Sequence, residues 1–207
     1  MKVILDFSHE NPNVNWDTVA TIPALEGVVL KVSEGVTLQD PMFQVRMKAA
    51  SVHELEVKGL YHFYHPADDP NQQADNYIKA RESVMTAKAI PAIIDLEWCE
   101  NAQEWPGIPE EKRCADLKTF ISRMEAEGYP VMIYSSHSFM NQYLPHADFL
   151  AAYGLWVAWY EAAPPLLPAP WKTWTWWQYT GTGNVPGVLG DVDISYVNDG
   201  GSLLSAD

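Results

Sequence analysis

Two carboxylates, Asp95 and Glu97, stand one residue apart inside the apolar run IPAIIDLEWC at residues 90–99. In a β-strand, side chains two apart share a face, so these acids point the same way while Ile94 and Leu96 pack the other way. Neighbouring acids repel, which raises the pKa of one of them. A carboxyl that keeps its proton beside one that stays ionised is the pair glycoside hydrolysis uses: one group protonates the leaving oxygen, the other meets positive charge at the sugar carbon. A lone acid in a strand is often a structural carboxylate satisfied by backbone N–H groups. Two together fit that role poorly.

Other apolar runs also end in polar or ionisable residues. Asp6 follows VIL, Glu34 follows LKVS, His62 follows LY, Tyr134 follows VMI, Gln178 follows WTWW, and Asp193 sits within DVD. The chain holds nine tryptophans and ten tyrosines, and flat aromatic faces pack against the C–H faces of pyranose rings while their N–H and O–H groups bond hydroxyls. In TWTWWQY, alternation sets Trp174 and Trp176 on one face and Trp177 and Tyr179 on the other. We expect Trp177 and Tyr179 on the groove side.

The elements that must hold these groups follow a rhythm. β-like runs occur at residues 2–8, 27–33, 58–64, 91–97, 129–136, 155–160, 173–179 and 191–197. Helix-like patterns fall at 40–55, 71–89 and 110–128, the last with Leu117, Phe120, Ile121 and Met124 at helical spacing and Gly128 as its stop. Strands alternating with helices imply a mainly parallel sheet with helices outside. After residue 155 the rhythm degrades: EAAPPLLPAPWK is proline-rich and too short for a good helix, and TGTGNVPGVLG reads as a turn or hairpin loop. The expectation is an α/β fold, a single irregular (β/α) TIM-like barrel of eight strands, with regular helices in its first part and loop connections near the C-terminus. A doubly wound sheet is the alternative. Residues 1–207 read as one catalytic domain with no separate wall-binding module, and only the tail GGSLLSAD reads as loose.

Bulk properties exclude several function classes. Thirteen Lys and Arg against 27 Asp and Glu give a net charge of −14, which repels phosphate backbones and anionic membranes, so neither nucleic acid nor membrane is an expected partner. No apolar run approaches a membrane span, and Asp6 interrupts MKVILDFSHE too early for a signal peptide. Synthesis in the cytoplasm is expected. Cys99 and Cys114 form neither a disulfide framework nor a zinc spacing and read as reduced residues.

Taken in order, DFSHENPNVNWDTV, VVLKVSEG, GLYHFYHP, PAIIDLE, MIYSS, LWVAWY, WWQYTGTGNVPG and DVDISYV resemble the glycoside hydrolase family 25 lysozymes across essentially the whole chain. The resemblance implies hydrolysis of the β-1,4 bond between N-acetylmuramic acid and N-acetylglucosamine in bacterial peptidoglycan, without a cofactor or metal. It makes Glu97 the proton donor, Asp95 the partner that attacks or orients the substrate's 2-acetamido group, and Asp6 and Asp193 the other pocket acids. Tyr61, Tyr134, Trp177 and Gln178 fall where the motifs set groove residues, and His62, Tyr179 and Glu34 join them as substrate-binding expectations. HENPN and Trp159 depart from the family's pattern and bear on groove walls rather than on the acids. Such an enzyme, a monomer acting on the wall after release from the cell, resembles a phage endolysin.

Three other readings are weighed against this one. Chitin hydrolysis of the family 18 type also uses a D-x-E pair, but the longer run D-x-x-D-x-D-x-E is absent. His9, His62, His65 and His137 invite a metal-dependent hydrolase, but no H-x-H or H-E-x-x-H spacing occurs. A catalytically silent wall-binding barrel would not need the acids that are present.

Overall fold

The computed structural model describes residues 1–99, 101, 104–162 and 164–198; the tail expected to be loose lies outside the described residues. The strands are β1 (Val3–Phe7), β2 (Leu25–Glu34), β3 (Leu38–Gln39), β4 (Val57–Phe63), β5 (Ala92–Leu96), β6 (Val131–Ser136), β7 (Gly154–Ala158), β8 (Trp176–Gly183) and β9 (Val192–Val197). They form one sheet in the order β1-β9-β8-β7-β6-β5-β4-β2-β3, and pairing of β1 with β2 closes eight of them into a barrel. The two-residue β3, which the sequence did not announce, hangs on the end of β2 as an antiparallel flap.

All eight expected strands are present. Strand β9 runs antiparallel to both neighbours, because the short connection 184–191 has no room for a crossover helix and returns as a hairpin. The TGTG expected in that loop belongs instead to β8, whose pairing with β9 continues to Gly183 opposite Val192.

The principal helices lie outside the barrel. They are α1 (Trp16–Val19), α2 (Phe43–Val52), α3 (Pro70–Glu82), α4 (Glu110–Ala126) and α5 (His137–Tyr143). Asp69 caps α3 by accepting from the N–H groups of Asn71 and Gln72, with Pro70 in the first turn. The helix expected to run to residue 89 stops at Glu82. Arg81, wholly buried, donates to the carbonyls of Ala87 and Ile90 and folds the following segment back across the helix end. Beyond β7 the connections are irregular, as the prolines imply.

Alternation along the strands builds two separate cores. Outward side chains such as Leu5, Leu30, Leu60, Ile94, Ile133 and Val157 pack beneath the helices with Leu117, Phe120, Ile121 and Met124 of α4. Inward side chains Ile4, Val29, Ile93, Met132, Trp156 and Trp176 fill the barrel. Gly59 completes that layer: a Cβ there would collide with Cδ1 of Ile93 and press on the Trp176 ring, so the small residue makes room for its large neighbours.

Candidate active site

One step of two residues along six of the parallel strands turns the apolar plug into a polar floor. Ile4 is followed by Asp6, Val29 by Lys31, Gly59 by Tyr61, Ile93 by Asp95, Met132 by Tyr134, and Trp176 by Gln178. Five of these second residues lie in the carboxyl-terminal half of their strands, and Gln178 ends the part of β8 that pairs with β7, so all six open on the face where barrel enzymes gather their chemistry. Because β9 runs the other way, it contributes a residue from its beginning, Asp193. Asp6, Tyr61, Asp95, Glu97, Tyr134, Trp156, Gln178 and Asp193 line a pocket of about 60 Å³. Glu97 and Tyr134 also line an adjoining cleft of about 400 Å³, walled by Trp98, His137, Trp159 and Tyr160. The pocket is small and acidic; the cleft is larger and aromatic.

Four carboxyls share this space, Asp6 and Asp95 of them buried. Burial and the nearby charge of Asp193 push Glu97 up to about 7. Burial and Glu97 hold the Asp95 carboxyl well above the usual carboxylate range, with Lys31 pulling it back. Acids coupled in this way titrate as a pair rather than one by one. Burial, then Asp193, likewise raises Asp6 well above its ordinary value. Oδ1 of Asp95 is buried without a hydrogen-bond partner.

Gln178 organises the opposite wall. Its Oε1 accepts from the hydroxyls of Tyr134 at 2.7 Å and Tyr160 at 2.6 Å, which fixes the amide so that Nε2 donates to Asp6 Oδ2 at 3.3 Å. Trp156 donates through Nε1 to Ser195 Oγ at 2.9 Å and is thereby held as part of the floor.

Of the residues anticipated from sequence, Asp6, Asp95, Glu97, Asp193, Tyr61, Tyr134 and Gln178 come together. Glu34 lies outside the pocket, bonded to Lys31 at 2.6 Å and to His65 Nε2 at 3.0 Å; burial notwithstanding, these partners bring its carboxyl down to about 2, His65 contributing most. Three expectations are corrected by strand parity. His62 neighbours the inward Tyr61 and therefore points out, where it stacks on Phe120 at 5.0 Å between ring centres. Trp177 and Tyr179 flank the inward Gln178 and also point out, Trp177 donating to the carbonyl of Trp159 at 2.6 Å and Tyr179 stacking on Tyr196 at 4.1 Å. The aromatic groove side belongs instead to Trp98, Trp159 and Tyr160.

Lys31 is the main residue that sequence reasoning passed over. It is buried, and its charge favours the ionised forms of Asp95 and Glu97. The signal was available: a lysine inside VVLKVS, two residues after an inward valine, must face the barrel interior. Among the described residues no helix is long and apolar enough to cross a membrane.

A (β/α) barrel whose strand ends converge on coupled carboxyls, beside an aromatic cleft, defines a glycoside hydrolase. The profile of glycosyl hydrolases family 25 matches residues 5–188, and the chain belongs to that family of lysozymes. Lysozyme M1 of Streptomyces globisporus is 28% identical over 210 residues, covering 98% of this chain and 69% of that protein. The crystal structure of the bacterial lysozyme from Streptomyces coelicolor superposes with a TM-score of 0.86 at 27% identity, covering 95% of this chain and 92% of the other. A muramidase from Trichobolus zukalii gives a TM-score of 0.81 at 25% identity, covering 98% and 95%.

Proposed function

We propose that this lysozyme hydrolyses the β-1,4 bond between N-acetylmuramic acid and N-acetylglucosamine in peptidoglycan, with Glu97 as the proton donor. The observation that carries this reading is the position of Glu97 on the boundary between the small acidic pocket and the larger aromatic cleft. A polysaccharide lying across both would set one sugar among the acids and the next against Trp98 and Tyr160, with the linking oxygen beside Glu97.

In this reading Glu97 gives its proton to the leaving oxygen as the bond to the sugar carbon breaks, then takes one back from the attacking water. Asp95, with one buried oxygen unpaired, either attacks the carbon or orients the 2-acetamido group. Asp6 and Asp193 shape the far side of the pocket, and Lys31 keeps net negative charge there tolerable. Tyr61, Tyr134 and Gln178 supply fixed hydrogen-bonding partners. The described barrel acts as one catalytic domain.

The test is digestion of purified peptidoglycan followed by mass spectrometry of the products. A new reducing end on N-acetylmuramic acid supports the proposal; one on N-acetylglucosamine overturns the bond assignment. Glu97→Gln should lower the rate of turbidity clearing by roughly 10²–10⁴-fold, the usual contribution of a positioned acid. Unchanged clearing by this variant would remove Glu97 from its role, and no clearing by the wild type would favour a wall-binding barrel.

A further inference from the structure

We propose that His65, Cys99 and Glu104 form a binding site for a zinc-type divalent metal ion, separate from the acidic pocket. The three residues come from two segments, the loop after β4 and the stretch following β5. Their ligand atoms, a ring nitrogen, a thiol sulfur and a carboxylate oxygen, all lie within 4.8 Å of one another. A tetrahedral zinc with bonds of about 2.0–2.3 Å holds its ligand atoms roughly 3.3–3.8 Å apart, so side-chain adjustments of about 1 Å complete the site.

The outer partner is already in position. His65 Nδ1 faces Glu104 Oε2 at 2.9 Å, and Nε2 faces Glu34 Oε1 at 3.0 Å. Without metal the ring donates from Nε2 to Glu34 and from Nδ1 to Glu104; an ion would displace the Nδ1 proton and leave Nε2–H on Glu34. A carboxylate holding the far nitrogen of a ligating histidine is the recurrent support of zinc sites. Glu34 is itself fixed by Lys31 at 2.6 Å. The mixed sulfur, nitrogen and oxygen set suits zinc or cobalt(II) and disfavours magnesium or calcium, which prefer oxygen alone.

Three protein ligands leave a fourth position for water. The site lies beside the catalytic machinery without entering it. Cys99 follows Glu97 by two residues, so an ion held there ties the segment bearing Glu97 and Trp98 to the end of β4. Its role is to position and stabilise that segment.

Full-length protein, stripped with chelator and dialysed, is titrated with cobalt(II) chloride alone. The proposal expects a sulfur-to-cobalt charge-transfer band in the near ultraviolet that saturates at one equivalent, is displaced by zinc(II), and accompanies a rise in Tm. Cys99→Ser should abolish the band and Cys114→Ser leave it intact. Glu104→Gln, which keeps the side chain's size, should weaken binding, and Glu34→Ala should weaken it by roughly 10–100-fold, as loss of such outer partners does. Absence of the band in the wild type, its survival in Cys99→Ser, or full affinity in Glu104→Gln overturns the site and leaves an ion-pair cluster of His65 with two glutamates. None of these readouts depends on peptidoglycan cleavage, so the metal site and the muramidase reading stand or fall separately.

Discussion

Asp6 and Asp193 are register partners, directly opposite each other across the antiparallel β1–β9 pair, with both side chains lining the pocket. Like charges in that relation destabilise a sheet. A barrel that needs this pairing only for its fold would do better with one neutral partner.

The first prediction follows from that cost. Asp6 has a folded-state pKa raised above its unfolded value, chiefly by burial and then by Asp193. Stability from such a group is fully present below the unfolded carboxylate pKa and is lost as pH rises through the folded one. Asp6→Asn should therefore raise Tm at pH 7 by a few degrees, with the gain shrinking as pH falls toward 4, while wall-clearing activity drops by roughly 10²-fold or more. Thermal melts across pH alongside turbidity assays check both halves. A lower Tm at pH 7 would mean that the pair stabilises the fold.

Gln178 leads to the second. Its carbonyl oxygen accepts from both Tyr134 and Tyr160 while its amide donates to Asp6. Gln178→Leu keeps the approximate size but strands the buried Tyr134 hydroxyl, at about 1–3 kcal/mol for a buried group left without a partner, and takes one donor away from Asp6. We expect a clear fall in denaturant midpoint together with loss of activity. Tyr160→Phe should be milder in stability, since Tyr160 is 60% exposed.

Much of this site is legible in the sequence, for a simple reason. Asp95, Glu97, Asp6 and Asp193 are acids in otherwise apolar strands, where the cost of burial makes them conspicuous. The residues misread are those whose facing depends on knowing one inward neighbour. His62, Trp177 and Tyr179 each flank a residue that lines the pocket, Tyr61 or Gln178, and adjacent side chains of a regular strand face opposite ways. Consistent parity from Ile4 through Trp176 would have excluded all three and brought in Lys31. The antiparallel entry of β9 and the flap β3 depend on pairing between distant segments, which periodicity along one strand does not encode.

The third prediction turns on His62. Gln73 Oε1 also accepts from the His65 N–H, and its Nε2 donates to the His65 carbonyl, so the amide orientation is set. His62 Nε2 must then be the donor to Gln73 Oε1 at 3.1 Å, and Nδ1 accepts from Ser33 Oγ at 2.9 Å. The ring is neutral and satisfied, and burial lowers its pKa from 6.5 to about 3. Between those values the unfolded chain binds a proton that the folded chain refuses, so stability is full above pH 6.5 and declines as pH falls toward 3, at about 1.4 kcal/mol per pH unit at most. His62→Gln should flatten that acid limb in chemical denaturation measured across pH, yet leave KM near its wild-type value at pH 7. A large rise in KM would return His62 to the groove.

The fourth prediction tests which aromatic residues meet the polysaccharide. Trp98 follows Glu97 directly, is 46% exposed, and is held edge-on against Phe139 at 5.3 Å between ring centres. It lines the aromatic cleft, whereas Trp177 is fixed in the outer core by its bond to the carbonyl of Trp159. Stacking of one sugar ring on one aromatic face is worth a kcal/mol or two, so Trp98→Ala should raise KM on the order of tenfold while kcat on soluble oligosaccharides changes little. Trp177→Phe should show the reverse pattern: KM unchanged, and Tm lowered because a buried indole and its hydrogen bond are lost. If Trp177→Phe weakened substrate binding and Trp98→Ala did not, the inward and outward faces of β8 would have to be exchanged, and with them the position of Gln178 against Asp6.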